Sequence, residues 1–165
     1  LEKWMRGLFP GESKAQARIR TAAALLSDTA WRTQPDYRAE AAFKRVLYAP
    51  LSGVSHKERA MISIAVCVRY AGTIDGDFIN IARKLITDDE YAWVLKLGLA
   101  LRLGHTLSGG TPGVLSRSKI DYENGPVVLT LSQDDANFLG PSTDKRLKAL
   151  GNMLEREWKV EIDGK

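Results

Sequence analysis

The side chains with the most chemistry to offer are arginines set inside helical patterns. Arg32 and Arg38 flank Pro35, Arg69 stands near the end of one apolar run, and Arg102 lies in another, with His105 three residues on. A guanidinium is a planar, permanently charged fork that grips phosphate or carboxylate through paired N–H donors. Buried among apolar groups without a counter-charge, it is costly. Two readings stay open. The arginines form structural ion pairs with Asp28, Asp36, Glu40 or Asp75, or they line a surface that holds phosphate. Arg32, Arg38, Arg69, Arg102 and His105 are therefore the candidate polyanion-binding residues.

Other chemistries leave no trace in the spacing. The two histidines, His56 and His105, and the single cysteine, Cys67, make no metal-ligand pattern, so no metal site is expected in this chain. No phosphate loop, dinucleotide fingerprint or nucleophile elbow is present. The glycines at 109, 110 and 113 follow an apolar helical run instead of opening one. Their amides are thus not presented at a helix start, where phosphate would be cradled. His56 falls in a first helical turn and reads as exposed, and His105 reads as a hydrogen-bonded core histidine.

The elements that must carry these residues are mostly helices. Thr87 to Gly110 is the central one, apolar on most sides from Tyr91 to Leu107. Thr87 and Glu90 form a capping box, and Asp88 and Asp89 sit where the helix dipole favours negative charge. A membrane span needs about 20 predominantly apolar residues. Lys96 and Arg102 interrupt the run too soon, so it reads as a core helix. Ser13 with Gln16, and Ser55 with Glu58, open two more helices with the same box. In the first of these, Ile19, Ala22, Ala23, Leu26 and Ala30 give the buried stripe, and Lys14, Arg18 and Arg20 a solvated basic face.

Pro35 suits a helical first turn, and that helix runs on to Pro50; Gly72 closes the one opened at Ser55. A shorter helix follows around Phe78 to Ile86. Leu1 to Phe9, stopped by Pro10-Gly11, is a short amphipathic arm expected to dock on the core or on preceding sequence.

Beyond Gly113 the period changes from helix to strand. Ile120, Tyr122 and the run Val127 to Leu131 surround Asn124-Gly125, a hairpin signal. Residues 134 to 141 form a connection, Thr143 to Glu157 a helix, and Trp158, Val160 and Ile162 a closing strand. The fold class is mainly α with a small α+β unit at the C-terminus: a helical domain over residues 1–110 and a β-β-α-β unit over 113–165 packed on it.

Composition narrows the class. Hydrophobic content of 44% and charged content of 27% are those of a globular protein, and a net charge of +4 allows an anionic partner without demanding one. One cysteine in an apolar pattern gives no disulfide framework and points to a reducing cytoplasm. No targeting, lipidation or spanning segment is visible, so no membrane partner is expected. The chain starts at Leu1 inside a patterned stretch, which reads as a piece of a longer protein with part of the function upstream.

An ordered set of segments resembles a known family. Leu25 to Arg32, then Pro35-Asp36-Tyr37-Arg38, Arg59-Ala60 through Arg69-Tyr70, Leu99 to His105 with Pro112 to Leu115, and Asp144 to Lys148 are similar to the C-terminal half of exopolyphosphatases of the Ppx/GppA type, nearest to their alphaproteobacterial branch. The resemblance implies a helical domain related to HD hydrolases followed by a small mixed unit. It also implies two preceding actin-like domains that hold magnesium and the catalytic base, none of which is in this sequence. It implies a positively charged passage for inorganic polyphosphate or guanosine pentaphosphate, whose terminal phosphate the parent enzyme releases, and a homodimer.

HD hydrolases bind metal through a His-Asp pair, a further His and a distal Asp. Here the pair reads Ser27-Asp28, the downstream segment Tyr37-Arg38-Ala39-Glu40, and the distal position falls near His105. The resemblance thus implies a degenerate HD-like scaffold with no hydrolytic centre and no cofactor of its own. A standalone metal-dependent HD-type phosphohydrolase and a non-catalytic interaction domain are the alternative functions.

Overall fold

The structure, a computed structural model, describes residues 1–74, 76–111, 113–122 and 125–163. Six α-helices and a three-stranded sheet are described: α1 (Lys14–Leu26), α2 (Arg38–Leu47), α3 (His56–Ala71), α4 (Asn80–Arg83), α5 (Asp88–Ser108), β1 (Ser118–Asp121), β2 (Val127–Ser132), α6 (Pro141–Met153) and β3 (Trp158–Asp163). The mainly helical fold with a β-β-α-β ending is the one expected from the sequence. None of the described helices is long and apolar enough to cross a membrane.

The chain forms two compact units, one of residues 13–99 and one of residues 1–12 with 100–165. In the first, all three capping boxes form. Ser13 and Ser55 accept from the backbone N–H groups of Gln16 and Glu58, whose side chains reach back to the cap, and Thr87 and Glu90 repeat the exchange at 3.0 and 3.3 Å. Each box satisfies first-turn amides that have no intrahelical partner.

The core of this unit is α3, buried without a break from Ala60 to Val68. Helices α1, α2 and α4 pack against it. Phe43 of α2 meets Phe78 edge to face, with centroids 5.3 Å apart. Gly98 of α5 explains how closely that helix approaches: a Cβ there would lie 2.4 Å from Val68 Cβ and 2.7 Å from the Ala65 carbonyl.

One expectation fails in α1. Lys14 and Arg18 are exposed, but Arg20 is 2% exposed and is not part of a solvated face. It precedes Ala23 by three residues, so helical geometry turns it onto the buried side with Ile19 and Ala23.

In the second unit, β2 lies between antiparallel β1 and parallel β3, with Ile120 opposite Leu129 and Val160 beside it. The crossover from β2 to β3 is α6, the connection a parallel pair requires. The N-terminal arm is a 3₁₀ turn, Trp4–Leu8, packed on β1. Trp4 Nε1 donates to Ser118 Oγ at 2.9 Å, and Met5 and Leu8 are fully buried. Gly7 permits this docking, since a Cβ would stand 2.4 Å from the Ile120 carbonyl oxygen.

The C-terminal unit departs from expectation in two places. The last helix spans Pro141–Met153, not Thr143 to Glu157: Pro141 fits its first turn, and Glu155 adopts φ 52°, which ends it. Residues expected as a plain connection form a 3₁₀ segment, Gln133–Phe138. Asp135 within it is 2% exposed and accepts from Arg117 Nε and Nη2 at 2.9 and 2.8 Å and from Ser132 Oγ at 2.9 Å. The Arg117 guanidinium holds this carboxyl below its ordinary pKa of 3.8.

Candidate functional site

The arginine-rich site lies in the first unit, around residues 27–34, the link between α1 and the turn at Pro35. Nothing in that link is regular secondary structure, so other elements must pin it. Serine 27 caps α1 by donating to the Ala24 carbonyl at 2.7 Å. From the end of α3, the Tyr70 hydroxyl accepts the Ala30 N–H at 3.1 Å, and Arg69 Nη2 donates to Asp28 Oδ1 at 2.9 Å. From α2, Arg38 Nε donates to the Thr33 carbonyl at 2.7 Å and Arg45 Nη1 to the Thr29 carbonyl. Two helices thus hold one irregular segment by their cations.

Electrostatics at this point are uneven. The Arg69 guanidinium stacks 4.0 Å from the centroid of the Tyr70 ring and is largely withdrawn from water, while its partner Asp28 is over half exposed. Burial lowers the pKa of Arg69; Tyr70 and Asp28 oppose that, and nearby Arg38 adds to it. The guanidinium nonetheless stays charged at neutral pH. Burial likewise raises the pKa of Tyr70, against the Ala30 N–H and the cation of Arg69. Arg38 and Arg69 thus bear on the same segment, one at the Thr33 carbonyl and the other at Asp28. Arg32 is exposed and lies over the Trp31 ring at 4.9 Å.

Of the five candidates, Arg38 and Arg69 come together on this segment, and Arg32 is carried by it. Arg102 and His105 belong to the other unit, where both are half-buried on α5 and three residues apart, hence on one face of that helix. Asp28 is the counter-charge actually used by Arg69; Glu40 pairs with Lys44 at 2.6 Å. Asp75, another candidate partner, and Pro112 and Asn124, which figured in the sequence reading, lie outside the described residues. Sequence reasoning missed Arg45. Its signal was the seven-residue spacing from Arg38, which puts both on the same face of α2.

A cavity of about 540 Å³ opens elsewhere in this unit, where the capping boxes at Ser13–Gln16 and Ser55–Glu58 meet Glu90. Helix starts favour anions, but this cavity supplies its own. Glu58 pairs with Arg18, and Glu90 with Lys57 at 2.5 Å. The Ser55 amide above all lowers the pKa of Glu58, and Lys57 that of Glu90. With charges matched and helix ends satisfied, the cavity offers little to a polyanion. Cys67 is inert as a nucleophile, because burial pushes its thiol up to about 12. Among the described residues, no three of His, Cys, Asp and Glu gather as a metal site would need.

Compared with known protein families, the sequence matches the one described as "Exopolyphosphatase, C-terminal" over residues 7–160. No curated protein sequence matches the chain. That match covers both compact units and every candidate arginine.

Proposed function

The chain belongs to the exopolyphosphatase C-terminal domain family, and from that premise we propose that it holds an extended phosphate polyanion for a parent phosphohydrolase whose catalytic centre lies in preceding actin-like domains. The reaction served is release of the terminal phosphate of inorganic polyphosphate or guanosine pentaphosphate. The observation that carries this reading is the convergence of Arg38 and Arg69 on one irregular segment that also bears Arg32. A phosphate chain brings counter-charge to these cations. Its charge is matched by several planar forks at once, as bidentate N–H donors suit phosphate oxygens. Arg45 extends the same basic face. Arg102 and His105 add a second group of donors in the other unit.

Asp28 is the one residue left in its expected chemistry from the HD metal pattern, and it is occupied by Arg69. A phosphate arriving at Arg69 competes with Asp28 for the same fork. This supports a binding role over hydrolysis by this chain. The magnesium of the parent reaction would supply charge neutralisation at the scissile phosphate. The described residues do not gather an oxygen-rich cradle for it. The module also contributes to a cytoplasmic homodimer.

The test is a gel-mobility titration of labelled polyphosphate with the chain. Binding is expected at low salt and should weaken steeply as salt rises, since each neutralised phosphate releases condensed counterions. Arg38→Ala with Arg69→Ala should lower affinity at least tenfold and flatten the salt slope. Unchanged mobility at low salt overturns the proposal. Phosphate release by the chain alone, lost in Asp28→Ala, would instead favour the metal-dependent hydrolase.

A further inference from the structure

The outer edge of β3 is open. The sheet order is β1-β2-β3, so among the described residues β3 has a neighbour on one side alone. From Lys159 to Asp163 it is also exposed on both faces. Val160 and Ile162, apolar residues on the face that carries buried Leu129 and Leu131, are 37% and 40% exposed. An exposed strand edge is a template for another strand, and native proteins blunt it with proline, a bulge, a covering element or charged side chains. Trp158 to Asp163 contains no proline and pairs with β2 without a bulge, and its charges, Lys159, Glu161 and Asp163, are mixed in sign.

The direction of its free backbone groups can be read from one bond. The Glu157 carbonyl accepts the Val127 N–H at 2.7 Å, so Glu157 faces β2. Backbone direction alternates along a strand, and in a parallel pair a residue's N–H and C=O leave on the same side. Residues 159 and 161 therefore also face β2, while Trp158, Val160 and Ile162 present their N–H and C=O to the open edge. An antiparallel partner must pair outward-facing residues with outward-facing residues.

We infer that this edge pairs with the same edge of a second copy of the chain, antiparallel, about a two-fold axis at Val160. The inference rests on the homodimer proposed above and adds where that dimer forms. The sequence Trp-Lys-Val-Glu-Ile at 158–162 is self-complementary in this register. Val160 meets Val160 of the second copy, and Trp158 meets Ile162, in hydrogen-bonded pairs on the apolar face. Lys159 meets Glu161, twice, in the closer non-hydrogen-bonded pairs on the polar face. In the single chain these two side chains already pair with each other at 2.5 Å, and both are half exposed.

The neighbouring registers fail. Moving the axis onto residue 159 sets lysine against lysine, and moving it onto residue 161 sets glutamate against glutamate, both destabilising directly across a ladder. At the central register, Glu157 and Asp163 meet only at the ends of the ribbon, where water screens them. The two copies form one six-stranded sheet through an isologous contact, as a two-fold axis requires. A single strand pair is smaller than a standard interface of about 1,600 Å², so the dimer should dissociate on dilution.

Sedimentation equilibrium of the full chain over a wide concentration range tests this. A reversible monomer–dimer equilibrium is expected. Val160→Pro removes an N–H that faces away from β2, so it should raise the dissociation constant at least tenfold with the far-ultraviolet spectrum unchanged. Lys159→Glu should weaken the dimer similarly, and Lys159→Glu with Glu161→Lys should restore it. That charge swap carries the test if the proline variant does not fold. A dimer indifferent to the swap and to proline overturns this edge but leaves the homodimer standing. A monomer at every concentration overturns both, and neither result touches polyanion binding.

Discussion

The unit spanning residues 13–99 has its helices marked by signals a few residues apart, whereas the unit joining residues 1–12 to 100–165 is closed by pairings 31 residues apart in its sheet and 114 apart at its arm. In the first, three capping boxes, a proline and a closing glycine mark the helix ends. Its tightest crossing, Gly98 on Val68, then locks helices already begun. In the second, the Trp4 indole reaches Ser118, and β2 finds β3 only after α6 has crossed over. The difference teaches where each unit is vulnerable. Local signals set helix boundaries and are individually modest, while long-range closures depend on a few residues that have no local substitute.

The largest expected effect tests the sheet unit at its centre. Leu129 is fully buried on β2 between Ile120 and Val160. Leu129→Ala should cost about 2–5 kcal/mol through lost burial and a residual cavity, read from urea unfolding. A cost below about 1 kcal/mol would mean the sheet is not the core of its unit.

Next comes the arm. Gly7→Ala forces a methyl group against the Ile120 carbonyl and should cost about 1–3 kcal/mol, as overpacking does. Trp4 emission should shift to the red as its indole leaves the protein. If neither changes, the arm does not close the second unit.

Smaller still is loss of one box. Ser55→Ala should cost about 1 kcal/mol and fray the start of α3, seen as faster amide exchange at residues 56–59. A loss as large as that of Leu129→Ala would erase the contrast between the units.

The last prediction concerns pH. Asp135 is held below its ordinary 3.8 by Arg117. A depressed carboxylate pKa contributes stability that is complete above the ordinary value and is lost as pH falls through the folded one. Acid unfolding should therefore begin below about pH 4, and Asp135→Asn should remove that part of the acid sensitivity. Its folded-state stability at pH 7 should fall towards that of the wild type in acid.

Much of the fold was legible because its signals are short. Ser-x-x-Gln and Ser-x-x-Glu name their own hydrogen bonds, and Asp88–Ser108 is recognisable from its apolar length. Arg20 was misread because a charged residue beside an apolar stripe looks solvated until the wheel is filled by real neighbours. Arg117 and Asp135 were not singled out, since their fork closes across a strand pair 18 residues apart. Within the candidate site, the choice of arginines came from residue type, but which anion each would meet did not. Arg69 takes Asp28 across 41 residues, and Arg45 joins only because the link after α1 bends back to α2.

The sequence alone determined most helix starts, the change of period after Gly113, the lack of metal-ligand spacing, and an ordered set of segments that fits the exopolyphosphatase C-terminal family. These are one-dimensional properties, fixed by hydrogen bonds and periodicities that span a turn or two. Only the tertiary structure decided that the arm belongs to β1, that Arg38 and Arg69 bear on the same segment, and that among the described residues β3 has a strand neighbour on one side alone. Such facts depend on which distant surfaces meet, and that is settled by shape and burial summed over the whole chain rather than by any residue's own preference.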